Sequence, residues 1–534
     1  MKKYDSNINN VIRKRVLVCY LFICVLFTVC SIRLFTVSSN DGLKETAAVQ
    51  STVKLDLYNL RGNIYDCNLK KLTGETAVKK TVFIPSAEGM KSAKEILGET
   101  SDDYKRLKQG YAVLTDVKSV NRRGTVSVEI PLRYSKNQTA VHLIGYTDLE
   151  NNGVSGIEYG MNDSLSSDKN AYISYSTDAK SRVLQGENIT YFDDTQDNGV
   201  ALTIDKNYQS VLEDSLRKIK CGAGVIVEVD SGRIKAMASV PTYDPNNIEK
   251  SLNDKNAPFV NRAVTPYSVG SVFKTCVSAA GIENGTVGKE YYCGGHILIN
   301  KQRYNCHKLS GHGFLNLQSA LAESCNCYFY QYAMDIGADD IYKTAKLCSF
   351  GSGGNLGGGI YVKGGNMPNP DILSQSDNAL ANFSIGQGDF MLAPVTITNL
   401  YSAVCNNGSY IKPFIIEGTV KNGKLKKKNN SNAKTKAMSE NTAGKLKNML
   451  KKCLDSGTGK SAKPEKATAG GKTATAQTGW LKNGRKIDNG WFCGFFEKNN
   501  KTYVVAVVIE DINSESTKCT EVFKNIADKI YSYY

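Results

Sequence analysis

The sequence predicts an α+β protein: a large domain of antiparallel sheet and helices, behind a mainly β module and one N-terminal transmembrane helix. Three observations carry that expectation. Paired apolar runs flank short turns, amphipathic helical stretches recur among them, and one long apolar segment stands near the start.

The apolar segment comes first in the chain. "VLVCYLFICVLFTVCSI", Val16 to Ile32, is about seventeen apolar or small residues, near the lower length for crossing a bilayer, and "RLFTV" extends it with Arg33 snorkelling. Lys2, Lys3, Arg13, Lys14 and Arg15 precede it. By the positive-inside rule, residues 1–15 are cytoplasmic, 16–37 are the anchor, and the rest lies outside. A cleaved signal peptide is the rival reading. Against it, the apolar run exceeds an h-region of about 7–15 residues and no clear small-residue cleavage site follows.

Residues 38–198 alternate short β-rich runs such as "VSVEIPL" with polar stretches, and read as an extended, mainly β module. At Gly199 the pattern changes, and residues 199–534 read as the large domain. "VALTID" is a strand, and "KNYQSVLEDSLRKI" places Tyr208, Val211, Leu212, Leu216 and Ile219 on one helical face. "GAGVIVEVDSGRIKAMAS" is a hairpin about Asp230-Ser231-Gly232. "GWFCGFFE" and "TYVVAVVIE" form another across "KNNK", and "CTEVFKNIADKIYSYY" is an amphipathic terminal helix. "KNGKLKKKNNSNAKTK" reads as a solvated basic loop.

A chain of 534 residues exceeds one ordinary core, so two or three domains are expected. With 67 Lys and Arg against 51 Asp and Glu the net charge is +16, which suits an anionic partner such as nucleic acid, a membrane surface or a cell-wall polymer. The sequence carries no zinc-finger array or aromatic-rich RNA-binding signature, so nucleic acid is not expected as a partner.

"SVGSVFKTCV" sets Ser271 three places before Lys274. That spacing alone says little, because it recurs at Ser51/Lys54, Ser166/Lys169, Ser215/Lys218, Ser409/Lys412 and Ser431/Lys434. Context separates the pair at 271. A turn, "PYSVG", leads into an apolar, small-residue helix that ends at "NG", so Lys274 lies nearly one turn beyond Ser271 on the same face. A lysine buried there sheds its proton readily, and a neutral amine is the base a serine nucleophile needs. "LAESCNCYFYQ" offers Ser324 and Asn326 on a short turn, and "AGGKTATAQTGW" offers Lys472, Thr473 and Thr475 on a strand whose alternation points the two threonines together. Singly, each has an ordinary structural explanation as a polar turn or a solvent-facing lysine.

Together, Ser-x-x-Lys, Ser-x-Asn and Lys-Thr-x-Thr in that order resemble the three motifs of penicillin-binding proteins and serine β-lactamases. "RGNIYD", "HLIGYTD", "GVSGIEYGMNDSL", "VALTID" and "VPTYDPN" extend the similarity to the class B, monofunctional penicillin-binding proteins over most of the exported chain. The resemblance implies a penicillin-binding transpeptidase domain over 199–534, with 38–198 as its pedestal. It implies that Ser271 attacks the D-Ala-D-Ala carbonyl of a peptidoglycan stem peptide and passes the acyl group to an acceptor amine, and that β-lactams acylate it. Lys274 would take the serine proton, and Ser324 and Asn326 would relay protons and hold the peptide. Lys472 and Thr473 would face the carboxylate, with backbone N–H groups of Ser271 and Thr475 as oxyanion hole. Two positions depart from the pattern: Ala474 stands where glycine is usual, which narrows the strand side of the cleft, and Val269 replaces a common proline.

Fifteen cysteines are many for an exported chain, and Cys19, Cys24 and Cys30 lie in the anchor. Between the first two motifs stand Cys293, His296, Cys306, His307, His312, Cys325 and Cys327. Three thiolates and an imidazole make a closed structural zinc site, with Cys293, Cys306, His312 and Cys325 as the preferred set. Some elongation-type class B enzymes are similar in this loop. A Cys306–Cys325 disulfide and unpaired buried thiols are the alternatives. The acyl-transfer chemistry itself calls for no cofactor. The resemblance further implies a SEDS-type membrane glycosyltransferase as partner. A β-lactam sensor, a D,D-carboxypeptidase or β-lactamase using the same serine, and a scaffold with a dead site are the competing functions.

Overall fold

A computed structural model describes residues 2–42, 46, 51–178, 183–184, 189–193, 198–427, 433–482, 484–512 and 517–533. They divide into two units that interleave along the chain: residues 1–60, 78–130 and 168–194, and residues 61–77, 131–167 and 195–534. The single boundary expected at 198/199 is thus replaced by a discontinuous one. Segments 61–77 and 131–167 join the second unit because their partners lie in it.

The first unit begins with the helix Lys2–Ser38, whose segment Ile8–Ser38 contains an 18-residue stretch of mean hydropathy 2.4 and is long and apolar enough to cross a membrane. Beyond it, one antiparallel sheet orders Thr52–Asn59, Asn170–Ser176 and Thr190–Phe192, and another orders Val113–Thr115, Thr76–Phe83 and Thr125–Leu132. Alternate residues of these strands, including Val82, Val128, Ile173 and Tyr175, form the apolar core. Among the described residues the expected β module of 38–198 also carries helices, three short ones between Val141 and Leu165 in the second unit and two longer ones in the first. Ala87–Leu97 and Asp102–Lys108 each start at a serine, Ser86 and Ser101, whose hydroxyl accepts from the backbone N–H three residues on.

In the second unit a five-stranded antiparallel sheet runs in the order Ile234–Val240, Gly222–Glu228, Lys501–Ile509, Arg485–Lys498, Ala469–Lys482. Both faces are covered. Phe492 and Phe496 meet Phe523 of the terminal helix Thr517–Tyr533, while Phe495, on the opposite face by alternation, lies under Lys447 of the helix Glu440–Asp455. Both expected hairpins are present, and Asn499 and Asn500 take the left-handed backbone that a two-residue turn demands. The helix Lys206–Leu216 buries Tyr208, Val211, Leu212 and Leu216 as expected but ends before Ile219. The basic stretch is less loop than expected: Lys424–Lys427 and Lys434–Lys436 are strands, and residues 428–432 of it lie outside the described residues.

The "RGNIYD" segment belongs to this unit through a parallel pairing of Asn63–Tyr65 with Gly199–Leu202. Arg61 donates to the Glu158 carboxylate at 2.8 Å and Arg133 does so at 2.7 Å, with the Arg61 and Glu158 side chains 3% and 0% exposed. Removing one member strands the others without solvent. Glu158→Gln is expected to lower the unfolding free energy by about 3–5 kcal/mol, read from the urea midpoint.

Candidate active site

Ser271 sits in the 3-10 turn Gly270–Phe273, which runs directly into the helix Lys274–Glu283. The turn is wedged from three sides. Phe273 packs on Phe383 and Phe390 at ring separations of 4.7 and 4.6 Å, and the Tyr401 hydroxyl reaches the Val272 carbonyl at 3.3 Å. Gly270 donates to the Gly386 carbonyl at 2.8 Å with both residues at positive φ, and a β-carbon on Gly386 would stand 2.2 Å from the Gly270 oxygen. Only glycine fits at 386.

Lys274 is fully buried. Its Nζ donates to the Ser324 carbonyl at 2.7 Å and to Asn326 Oδ1 at 2.6 Å, and approaches the Ser324 hydroxyl at 3.4 Å. Burial, seconded by the Lys472 cation, draws its pKa down to about 7. Ser324 holds a left-handed backbone, φ +56°, unusual for a residue other than glycine, and Cys325 then caps the helix Asn326–Ile336 through its sulfur.

Ala469–Lys482 is an edge strand whose outer side faces the serine turn: a β-carbon on Gly270 would lie 3.1 Å from the Thr475 carbonyl and 3.2 Å from the Ala474 methyl. Thr473 and Thr475 share one face of it, as alternation predicts. Lys472 points the other way and is fully buried, its Nζ reaching the Thr473 carbonyl at 3.1 Å and the Thr458 hydroxyl at 3.4 Å. Burial lowers its pKa to about 8.

These elements enclose a cleft of about 270 Å³, lined by Ser271, Ser324, Asn326, Thr473, Ala474 and Thr475 among others. Lys274 and Lys472 stand behind its wall rather than in it. His307, Thr458, Ser461, Thr517 and Thr520 also line it and were not singled out as cleft residues from the sequence. For Thr458 and Ser461 a signal existed, the glycine-bracketed "SGTGKSA" after an amphipathic helix; isolated hydroxyls such as Thr517 and Thr520 leave none.

Beside the Ser324 turn, the ligand atoms of Cys293, Cys306, His312 and Cys325 all lie within 4.8 Å of one another. His312 Nδ1 is 3.5 Å from Cys293 Sγ and 3.6 Å from Cys306 Sγ, and Cys306 Sγ is 3.9 Å from Cys325 Sγ. A tetrahedral zinc with Zn–S near 2.3 Å and Zn–N near 2.05 Å sets its ligand atoms about 3.6–3.8 Å apart, so these residues fit that ion. Hydrogen bonding with Cys325 and Cys327 pulls the Cys306 thiol far below its usual pKa and pushes the Cys325 thiol up, while burial lowers that of His312. All the cysteines are unbonded, and 3.9 Å is well beyond the about 2.05 Å of a disulfide. His296 lies in a hairpin outside this group, and His307 turns to the cleft.

A serine on a wedged turn, a near-neutral buried amine and an open strand edge are the equipment of serine acyl transferases. Residues 222–528 match the family described as penicillin binding protein transpeptidase domain, and the chain belongs to that family. It is 26% identical to stage V sporulation protein D of Bacillus subtilis (strain 168), over 94% of this chain and 82% of that one. Penicillin-binding protein 3 of the same organism is 28% identical, over 85% of this chain and 73% of that one. The fold is similar to that of penicillin-binding protein PBP2 from Helicobacter pylori, with TM-score 0.68 at 20% identity, covering 90% of this chain and 100% of that one. It is also similar to a D,D-transpeptidase domain from Eggerthella lenta, with TM-score 0.64 at 23% identity, covering 88% and 97%.

Proposed function

We propose that this protein is a membrane-anchored peptidoglycan D,D-transpeptidase in which Ser271 is the nucleophile and Lys274 its base. The observation that carries this is the Lys274 amine, fully buried, drawn to about pKa 7 and one helical turn from the serine. As a neutral amine Lys274 keeps two protons for the Ser324 carbonyl and Asn326 Oδ1, and its lone pair, in place of the longer donation to the Ser324 hydroxyl, takes the Ser271 proton. Ser271 attacks the D-Ala-D-Ala carbonyl, D-alanine departs, and an acceptor amine releases the acyl group. Ser324 and Asn326 relay the proton and hold the donor peptide. Thr473 and Thr475 receive the carboxylate side, with Lys472 behind them as a buried positive charge, and the backbone N–H groups of Ser271 and Thr475 receive the oxyanion. Release of D-alanine from a stem pentapeptide, and its replacement by an added D-amino acid, tests the reading; water as the sole acceptor would favour a carboxypeptidase.

The two lysines make acylation pH-dependent. Lys274 becomes a base as pH rises through about 7, whereas Lys472 loses its attraction for a carboxylate above about 8. The second-order rate of acylation by a fluorescent penicillin is therefore expected to rise about tenfold per unit below pH 7 and to decline above 8.

Three finer readings accompany this one. Zinc held by Cys293, Cys306, His312 and Cys325 supplies a structural cross-link that fixes the turn carrying Ser324 and Asn326. The N-terminal basic residues keep residues 1–15 in the cytoplasm and the catalytic unit outside. Residues 38–198 serve as pedestal, and with the anchor they meet a SEDS-type glycosyltransferase. A Helicobacter pylori relative has been solved in complex with MreC, which supports wall-synthesis partners for such chains.

A further inference from the structure

The two halves of the oxyanion hole stand on separate elements. One N–H belongs to Ser271 in the turn Gly270–Phe273, the other to Thr475 in the edge strand Ala469–Lys482, whose single sheet neighbour is Arg485–Lys498. Two such donors act as a pair only when each comes within about 2.7–3.1 Å of one oxygen position, so the spacing of turn and strand has to be fixed. Phe383, Phe390 and Tyr401 hold the turn from elements outside the sheet.

Trp491 holds it from within the sheet. It lies on Arg485–Lys498 directly opposite Ala474, the neighbour of Thr475, and is fully buried. Cross-strand partners share one face, so the indole and the Ala474 methyl point to the same side, where the methyl lies against Gly270 of the turn. The indole Nε1 donates to the Ser268 carbonyl at 2.9 Å, three residues before the nucleophile, and the ring meets Tyr267 edge-on at 6.4 Å. Any acceptor would satisfy a buried indole N–H. This one is the main chain that leads into the serine turn, so a single side chain ties the strand pair carrying Thr475 to the backbone carrying Ser271.

We infer that Trp491 is a positioning residue for the oxyanion hole: through its bond to the Ser268 carbonyl it sets the distance between the Ser271 and Thr475 N–H groups. The inference rests on the proposed function, which assigns those two groups to the oxyanion. Trp491 then governs stabilisation of the tetrahedral intermediate and leaves the base alone, because Lys274 makes its hydrogen bonds to Ser324 and Asn326.

The test uses the full chain with Trp491→Phe, which removes the donor and keeps an aromatic ring. A second chain carries benzothienylalanine at 491, with sulfur in place of the N–H and the ring shape kept. Stopped-flow acylation by a chromogenic β-lactam separates the dissociation constant of the first complex from the rate of acylation. In both chains the rate is expected to fall about 10–50-fold, while that dissociation constant changes less than about twofold. The rise of the rate through about pH 7 stays in place, since it belongs to Lys274. A boronic acid, whose serine adduct is tetrahedral and sets an oxygen in the oxyanion hole, should weaken by about the same factor as the rate. Should Trp491→Phe not fold, the benzothienylalanine chain decides. Acylation within about twofold of wild type in that chain overturns the inference, as does a loss confined to the first complex or a displaced pH profile. No adduct with the wild-type chain overturns the proposed function, and the inference with it.

Discussion

Ser271→Ala is expected to remove covalent β-lactam labelling and D-alanine release together, lowering turnover by about 10⁴-fold or more. The size of the effect follows from the chemistry: no other atom in the cleft forms the bond that is exchanged, so the loss is not shared. The variant should fold normally, because the turn is held by Phe273, Gly270 and the Tyr401 contact rather than by the serine hydroxyl. Intact mass before and after adding a β-lactam, with thermal unfolding as control, gives the answer. An adduct that survives in a folded Ser271→Ala protein would place the nucleophile elsewhere.

Cys306→Ser is the second large effect. Native mass spectrometry of the wild-type chain is expected to show one zinc ion, about 65 Da heavier than the denatured apo-protein, and the variant to hold less than about one tenth of that. Acylation should fall with it, by about 10–100-fold, because Cys325 lies between Ser324 and Asn326 and its position fixes both. Ser324 is the sensitive point: a left-handed backbone there is strained and persists only while its surroundings enforce it. A wild-type mass about 2 Da below the all-thiol value would show a disulfide and overturn the zinc reading.

Several residues of the cleft region were legible in the sequence because the proposed chemistry demands particular residue types at fixed spacing along one element, as with Ser271 and Lys274 on one helical turn, or Thr473 and Thr475 on one strand. What joins elements was not. Nothing in "SGTGKSA" says that Thr458 comes to hydrogen-bond Thr473, at 3.1 Å, and Thr517 and Thr520 reach the cleft only because the sheet brings the last helix there. Alternation along "GKTAT" also sets Lys472 on the face opposite Thr473, which the motif reading had treated as one surface. The helices after Ser86 and Ser101 had readable caps, outweighed by the β-rich composition around them. The interleaving of units depends on a parallel pairing of Asn63–Tyr65 with Gly199–Leu202, and no local pattern encodes such a partner.

The order of strands in the five-stranded sheet also bears on how the protein is made. Gly222–Glu228 takes its second neighbour from Lys501–Ile509, and the Lys501 to Glu228 ion pair joins residues 273 positions apart. Until that strand is in place, the early hairpin of Gly222–Glu228 and Ile234–Val240 stands with a further edge open, and unpaired edges invite aggregation. Assembly of this sheet is therefore tied to the arrival of Lys501–Ile509 rather than to synthesis of its first half, and loss of the final strand and helix would take from Gly222–Glu228 its second neighbour and from Phe492 and Phe496 their cover.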